Sequence, residues 1–207
     1  MGFLKGKNVL DAGCGSGRII GRLKNLEANI TAIDISEKML EIVRKKNSGV
    51  EVVKGDVRKM PFESGKFDIV IAPFVIVHMK KLDAFFEECY RVLKTGGIFI
   101  FTNVNQRKAP KLKIKHHGEI CIESYYHIPE QVKEALDSAF FRLEEEKFVY
   151  NGEVWINQII RARKGLFSAK KGRGVLLERK RGFALRILIG LDLLKKAGRD
   201  VYLMRKF

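Results

Sequence analysis

Short apolar runs alternate with helical patterns through the first hundred residues of the chain. The predicted strands are Asn8–Asp11, Ile30–Asp34, Glu51–Lys54, Phe67–Ala72 and Gly97–Thr102. Between them, apolar residues recur at spacings of three and four, which predicts amphipathic helices over Arg18–Leu26, Glu37–Lys46 and Leu82–Leu93. Strands that are apolar nearly throughout and alternate with helices are typical of a parallel sheet covered on both faces. The pattern therefore predicts a doubly wound α/β fold.

The alternation ends after Thr102, where a segment rich in Lys, Arg and His begins. Pro129 then predicts the first turn of a further helix. Two alternating strands follow, Leu143–Tyr150 and Val154–Arg163, and Asn151-Gly152 between them is a strong hairpin signal. We therefore expect an antiparallel hairpin to complete the parallel sheet.

The turn between the first strand and the first helix is rich in glycine and reads Val9-Leu10-Asp11-Ala12-Gly13-Cys14-Gly15-Ser16-Gly17. Such a turn lets the backbone approach a ligand closely, with N–H groups facing it. It does not match the dinucleotide fingerprint GxGxxG, because Arg18 stands where the last glycine would be. The carboxylate of Asp11 would repel a pyrophosphate but suits the ammonium group of an amino acid.

Two further acids follow predicted strands. Asp34 ends the second strand, where a carboxylate can accept hydrogen bonds from both hydroxyls of a ribose. Asp56 follows the third strand, where an acid can accept the amine of adenine while the N–H of Val57 donates to the ring. An amino acid, a ribose and an adenine, with no phosphate requirement, describe S-adenosylmethionine.

The sequence resembles the class I S-adenosylmethionine-dependent methyltransferases, in particular the branch that includes the ubiquinone and menaquinone biosynthesis enzymes. The resemblance covers about residues 7–164. Beside the glycine turn it rests on Ile33-Asp34-Ile35-Ser36, Gly55-Asp56-Val57 with Met60-Pro61-Phe62, Phe67-Asp68-Ile69-Val70, and Arg91-Val92-Leu93-Lys94-Thr95-Gly96-Gly97. The family implies a Rossmann-like, doubly wound, seven-stranded sheet of order 3-2-1-4-5-7-6 with strand 7 antiparallel, which agrees with the hairpin pattern.

The resemblance also implies which residues bind the cofactor, S-adenosyl-L-methionine. They are Asp11, Gly13, Cys14, Gly15, Gly17, Asp34, Ile35, Met39, Asp56, Val57 and Ala72. The three glycines would lie under the methionine part, and Ile35 and Met39 would flank the adenine. The backbone oxygen of Ala72 would accept a hydrogen bond from the ammonium group, while Cys14 would be a small filler in the turn.

Candidate catalytic groups are fewer, because methyl transfer depends mainly on in-line placement of the reactants. His78 follows the fourth strand and is either a general base or substrate contact, or a residue that orders the start of the next helix or packs beside the cofactor. Tyr125, Tyr126 and His127 either line the acceptor pocket or pack under a loop.

Metal and disulfide sites are not predicted. The three cysteines, Cys14, Cys89 and Cys121, are an odd and scattered set. The neighbouring His116, His117, Glu119 and Cys121 match no closed zinc pattern.

Composition and charge divide the chain in two. Its 207 residues, 46% of them hydrophobic, suit a methyltransferase domain over residues 1–164 and a basic, helical appendage over residues 165–207. The net charge is +16, and residues 165–207 hold 12 Lys and Arg against 3 Asp and Glu. This charge favours anionic partners such as RNA or an acidic lipid surface, although a solvated basic surface is the alternative.

The expected location is the cytoplasm. The apolar stretch Gly182–Leu194 is interrupted by Arg186 and Asp192 and is shorter than the roughly 20 residues of a bilayer-spanning helix. The first residues show no secretory pattern. The basic amphipathic stretch Val175–Lys196 could contact a membrane surface, hold RNA, or pack against its own domain or a second subunit in a homodimer.

The sequence therefore predicts an enzyme, an S-adenosylmethionine-dependent methyltransferase that acts on an unidentified acceptor, with a small metabolite as the first choice. Two alternatives stay open. One is an RNA methyltransferase, acting on tRNA or rRNA, that uses the basic loop and tail. The other is a cofactor-binding module without catalysis.

Overall fold

The computed structural model of the protein describes residues 4–107, 111–114, 118–121 and 123–165. The predicted appendage lies outside the described residues from residue 166 onwards, and so do His116 and His117. Within the part of the chain that is described, no helix is long and apolar enough to cross a membrane.

Nine strands and four α-helices make up the described fold. The strands are β1 (Asn8–Ala12), β2 (Asn29–Asp34), β3 (Glu51–Lys54), β4 (Phe67–Ala72), β5 (Leu93–Val104), β6 (Lys111–Ile114), β7 (Gly118–Cys121), β8 (Phe141–Asn151) and β9 (Val154–Lys164). The helices are α1 (Ile20–Asn25), α2 (Glu37–Lys46), α3 (Asp83–Val92) and α4 (Pro129–Ser138), with a short 3₁₀ helix at Ile76–His78.

Seven of the strands form one sheet in the order β3-β2-β1-β4-β5-β9-β8. Strands β1 to β5 are parallel, and β9 runs antiparallel to both β5 and β8. Counted within this sheet, the order is 3-2-1-4-5-7-6 with strand 7 antiparallel, so the predicted fold class is confirmed. The order reverses between β1 and β4, and open α/β sheets bind ligands in the crevice at such a point, outside the carboxyl ends of the strands.

Two features differ from the expectation. Strand β5 begins at Leu93 rather than at Gly97, because α3 ends at Val92 and Leu93 already pairs with Phe67. A register shift between Phe67 and Ile69 and the positive φ of Gly96, +74°, absorb the irregularity. The second feature is the unpredicted two-stranded sheet of β6 and β7, inside the basic segment.

An aromatic cluster packs one face of the sheet against α3. Phe85, Phe86, Phe99 and Phe101 are fully buried. The ring centroids of Phe86 and Phe99 lie 5.5 Å apart in an edge-on arrangement, and those of Phe99 and Phe101 are stacked at 4.6 Å. Such pairs add to the free energy gained from burial alone. On the opposite face, α1 and α2 bury Ile20, Leu23, Leu40 and Val43.

Lys164, the last residue of β9, caps the end of α3. Its Nζ donates hydrogen bonds to the backbone oxygens of Tyr90 at 2.7 Å and Leu93 at 2.8 Å. The ammonium group also lies over the Tyr90 ring, 4.6 Å from its centroid. Since the last carbonyls of a helix lack partners within it, this cation satisfies them and complements the negative end of the helix dipole.

Removing one buried ring of the cluster tests this packing. Phe86→Ala should lower the free energy of unfolding by about 3–5 kcal/mol, because it deletes a buried ring and leaves a cavity. Phe140→Ala is the control, since Phe140 is 67% exposed and its loss should cost no more than about 0.5 kcal/mol. Urea unfolding followed by circular dichroism measures both; equal losses for the two variants would contradict the assigned core.

Candidate active site

The glycine turn after β1 is fastened to the end of β2. The N–H groups of Gly13 and Cys14 donate to the backbone oxygen of Ile33 at 2.8 and 3.0 Å. Gly13 has φ +68°, and a Cβ there would lie 2.7 Å from Cγ2 of Val75, so the turn excludes any larger residue. At Gly15, with φ +50°, a Cβ would meet nothing within 4 Å. The turn is therefore closed on the side of Val75 and open at Gly15, where a ligand can approach.

Asp11 places a carboxylate under this turn. It is 1% exposed, and neither of its carboxylate oxygens has a hydrogen-bond partner. Burial, with a further contribution from the Asp34 carboxylate, raises the pKa of Asp11 to about 8. An unpaired buried carboxylate is unfavourable, and a cation bound beside it would offset that cost. The site therefore fits a ligand with an ammonium group.

Asp34, the last residue of β2, joins two turns at the sheet edge. One of its oxygens accepts the N–H of Gly15 at 2.8 Å, and the other accepts the N–H of Ser36 at 2.9 Å. A carboxylate offers about four lone-pair directions, so each oxygen can still accept a hydroxyl. Ile35 beside it is 67% exposed, and Met39 is half-buried. Both side chains are apolar, and neither is fully buried.

Asp56 lies on the loop after β3, at the same edge. Its carboxylate is held by Arg58, whose Nη2 lies 2.6 Å from Oδ2 and whose backbone N–H donates to Oδ1 at 2.8 Å. The Arg58 guanidinium lowers the pKa of Asp56, which therefore remains an ionised acceptor. The N–H of Gly55 donates to the backbone oxygen of Asp34 at 3.0 Å, so the ends of β2 and β3 adjoin.

The loop after β4 closes the site from the other side. Ala72 ends β4 opposite Phe101, and Phe74 adopts a left-handed conformation with φ +62°. The N–H of Phe74 donates to Oγ1 of Thr102 at 2.8 Å. This bond holds a backbone conformation that is unfavourable for a residue with a side chain. It thereby places Val75 against the glycine turn.

Comparisons with known proteins agree with this geometry. Residues 10–101 match the family described as "Methyltransferase domain". The chain is 32% identical over 139 residues to a malonyl-[acyl-carrier protein] O-methyltransferase of Enterobacter lignolyticus, covering 67% of this chain and 54% of that protein. It is 34% identical over 119 residues to a demethylmenaquinone methyltransferase of Staphylococcus aureus, covering 55% and 49%. The chain thus spans about half the length of the curated relatives it matches.

A solved structure gives the same result for the fold. An S-adenosylmethionine-dependent methyltransferase from Methanosarcina mazei superposes with a TM-score of 0.67 at 17% identity, over 80% of this chain and 95% of that one. Residues 10–101 of the chain are thus a methyltransferase domain, and the chain is similar to the class I S-adenosylmethionine-dependent methyltransferases. The resemblance predicted from the sequence is confirmed, and with it the cofactor of the family, S-adenosyl-L-methionine.

Cys14 and Gly17 of the glycine turn pack against their neighbours. Cys14 is buried, and burial together with the carboxylates of Asp11 and Asp34 raises the pKa of its thiol, which stays protonated. Gly17 has φ +79°, and a Cβ there would lie 3.0 Å from Cδ1 of Ile20. In residues 4–107 and 123–165, no three His, Cys, Asp or Glu side chains are grouped so that they could hold a metal ion.

The two candidate histidines occupy different environments. His78 is exposed in the 3₁₀ helix, on the loop that follows β4. His127 is buried, and its Nε2 lies 2.8 Å from the backbone oxygen of Met79 and 3.2 Å from that of Ile76. Asn103 at the end of β5 donates to the backbone oxygen of His127 at 2.9 Å. His127 therefore fastens the loop after β4 to the segment before α4.

Three aromatic side chains, Tyr126, Phe148 and Trp155, form an aromatic wall at the same sheet edge. The rings of Tyr126 and Trp155 are nearly parallel, with centroids 6.4 Å apart, and Phe148 meets Trp155 edge-on at 5.9 Å. The guanidinium of Arg107 lies 5.3 Å from the centroid of Tyr126. Because β9 is antiparallel to β5, its first residues lie beside the carboxyl end of β5. Sequence reasoning named Tyr126 but missed Phe148, Trp155 and Asn103, which become neighbours of the site only through the strand order.

The pKa of Asp11 gives a pH dependence with a definite sign. Between about pH 4 and pH 8 the folded protein holds one proton more than the unfolded chain, so its stability should fall as the pH rises, by at most about 1.4 kcal/mol per pH unit. Asp11→Asn removes the titrating group and should flatten this slope. Urea unfolding at pH 5, 6, 7 and 8 measures it.

Asp68→Asn is the matched control for this measurement. Asp68 is also an acidic strand residue, but it is only partly buried and its pKa is lowered, with Asn8, Lys94 and Lys7 favouring the ionised form. Its contribution to stability is lost only at acidic pH, so the slope between pH 5 and pH 8 should match that of the unmodified protein. An equal slope for Asp11→Asn and the unmodified protein would contradict the assigned pKa.

Proposed function

We propose that this protein transfers a methyl group from S-adenosyl-L-methionine to a small-molecule acceptor. The observation that carries the proposal is the buried carboxylate of Asp11, which has no partner and lies under a glycine turn. The methionine part of the cofactor would bring an ammonium group to this side chain, and the positive charge would lower the pKa of Asp11 and favour its ionised form. When bound, the cofactor supplies a methyl group already activated on a sulfonium.

The other cofactor contacts follow from the same edge of the sheet. Asp34 accepts the ribose hydroxyls with its free lone pairs. Ile35 and Met39 contact the adenine faces, while Asp56 and the N–H of Val57 contact its edge. These residues suit S-adenosyl-L-methionine because their carboxylates can accept hydrogen bonds from an amine and from hydroxyls. None of them is a cation that would bind a phosphate.

The acceptor lies on the side of β4, β5 and β9 in this proposal. The aromatic wall gives it an apolar surface that excludes water, and the loop fastened by His127 fixes that surface relative to the cofactor edge. In-line placement of the acceptor then supplies most of the rate enhancement. His78, on the loop after β4, is the candidate general base for an acceptor that starts protonated.

Asp34→Asn tests the cofactor site. The variant keeps the size of the side chain but loses the charge and one acceptor, so the Kd for S-adenosylhomocysteine should rise by about tenfold or more. Isothermal titration calorimetry measures it. Asp68→Asn is again the control, because Asp68 also accepts a backbone N–H, from Asn8 at 3.0 Å, but at the opposite edge of the sheet. An unmodified protein that gives no binding heat with this nucleoside would refute the proposal.

The acceptor class needs a separate measurement. Incubation with cofactor labelled on the methyl group and a cell extract should place the label in molecules that pass an ultrafiltration membrane. Label in precipitated RNA would favour the RNA alternative instead. Binding of S-adenosylhomocysteine without transfer to any acceptor would favour a module without catalysis.

RNA is kept as a second candidate acceptor because of the net charge of +16. Phosphate neutralisation by Lys and Arg would make RNA affinity fall steeply between low and moderate salt. Fluorescence anisotropy with labelled tRNA and an rRNA fragment measures this dependence, and undetectable binding at low salt would eliminate RNA. We also propose a location in the cytoplasm, as the sequence predicts.

A further inference from the structure

The loop that carries the adenine-edge residues has no helix of its own. Residues 55–66, between β3 and β4, form turns and bends only. Their first residue is fastened to the end of β2 through the N–H of Gly55, as described above. The position of Asp56 and Val57 therefore depends on what holds the rest of this loop.

Two side chains of α3, Glu88 and Arg91, hold it. An oxygen of Glu88 accepts the N–H of Met60 at 2.7 Å. Arg91 donates to the backbone oxygens of Phe62 at 2.6 Å and Met60 at 3.0 Å. We refer to Glu88 and Arg91 as the bracket. It binds one N–H and two carbonyl groups of the loop, all within six residues of Asp56.

The bracket is rigid because its two members are also paired with each other. Nε and Nη2 of Arg91 donate to the two oxygens of Glu88 at 2.7 and 2.8 Å, which is the bidentate arrangement of a strong charge-assisted pair. The Arg91 guanidinium lowers the pKa of Glu88, so the pair stays charged at neutral pH. The side chains are 18% exposed for Glu88 and 35% for Arg91.

Two side chains of the loop, those of Met60 and Phe62, are buried in the hydrophobic core. Met60 is 4% exposed and Phe62 is 9% exposed, and the Phe62 ring meets Phe67 edge-on at 5.1 Å. The N–H of Gly65 also donates to the backbone oxygen of Arg91 at 3.0 Å. The loop is therefore fixed from Met60 to Gly65, and the four residues Asp56 to Lys59 span the distance from this anchor to β2.

We propose that Glu88 and Arg91 are positioning residues that set the recognition of adenine through the loop of Asp56 and Val57. They act on the cofactor only through that loop. The inference rests on the proposed function, because it requires an adenine at the loop. The expected consequence is selectivity between bases that differ at position 6. Asp56 would accept a hydrogen bond from a 6-amino group, whereas a 6-oxo group has no hydrogen to donate to it.

The experiment compares two nucleosides by calorimetry, S-adenosylhomocysteine and its inosine analogue, which differ at position 6 of the base. The unmodified protein should bind the adenine compound about tenfold or more tightly, as expected for one hydrogen bond to a charged group. In Arg91→Met this ratio should fall below about threefold, since the loop loses both carbonyl bonds. Arg91→Lys should recover part of the ratio.

Glu88→Gln covers the case in which Arg91→Met does not fold. The amide oxygen still accepts the N–H of Met60, but the charge pairing with Arg91 is lost, so the ratio should fall part of the way. Lys164→Met is the matched control. Lys164 is also a partly buried cation that binds two backbone oxygens at the end of α3, those of Tyr90 and Leu93, and both oxygens lie outside the loop. It should lower the Tm and leave the ratio unchanged.

The outcomes separate this inference from the proposed function. If the unmodified protein binds neither nucleoside, the proposed function fails and the inference with it. If it binds both equally, or if it discriminates and the bracket variants keep its full ratio, the inference is overturned while the cofactor site stands. A loss of ratio in Lys164→Met equal to that in Arg91→Met would also overturn it, because general destabilisation would then explain the effect.

Discussion

The central constraint in this protein is a carboxylate that the fold buries without giving it a partner. Asp11 lies in β1, an interior strand between β2 and β4, where its neighbours are strands and a glycine turn. Its two oxygens have no hydrogen bonds, and the Asp34 carboxylate adds repulsion. A folded protein tolerates such a group when a bound cation pairs with its charge or when function requires it. The glycines, Asp34 and the loop after β4 are all arranged around this incomplete site.

The sheet order explains why separate segments meet there. Parallel strands bring their carboxyl ends to one edge, so Asp11, Asp34 and Ala72 become neighbours although 61 positions separate the first from the last. The antiparallel β9 adds its first residues to the same edge. In the proposed function the cofactor side is thus built from β1, β2 and β3, and the aromatic wall comes from the segment before α4 and the β8–β9 hairpin.

The sequence was sufficient for the fold, because the strands and helices follow from local signals. The residues assigned to the cofactor stay a prediction. Apolar runs located the strands of the sheet, and the spacing Gly13-x-Gly15-x-Gly17 with Asp11 indicated the ligand. The contacts of the bracket with the loop could not be predicted from the sequence, because Arg91 and Met60 are 31 positions apart. An Arg on an amphipathic helix is also typical of a solvated face. Trp155 was missed in the same way, because its place beside the site depends on which strand β9 joins. The expected fifth strand began at Gly97, four residues after the start of β5, because the positive φ of Gly96 and the register shift beside it lie inside the strand.

Helix α3 connects these parts. Its aromatic residues fill the core, Glu88 and Arg91 reach the loop after β3, and Lys164 of β9 caps its end. The loop after β3 and the strand β9 are therefore both held in place by contacts with α3. Displacing this helix would affect the cofactor side and the acceptor side together.

The β8–β9 hairpin turns at Gly152, with φ +61°, beyond the last packed residues of the sheet. Its tip carries the wall residue Trp155 next to the exposed Val154, while the residues that form the core lie further along both strands. Under the proposed function, insertions or exchanges at this tip would therefore change the acceptor surface without disturbing the proposed nucleoside site or the hydrophobic interior. Such a division allows a lineage of these proteins to acquire new substrates while retaining one methyl donor.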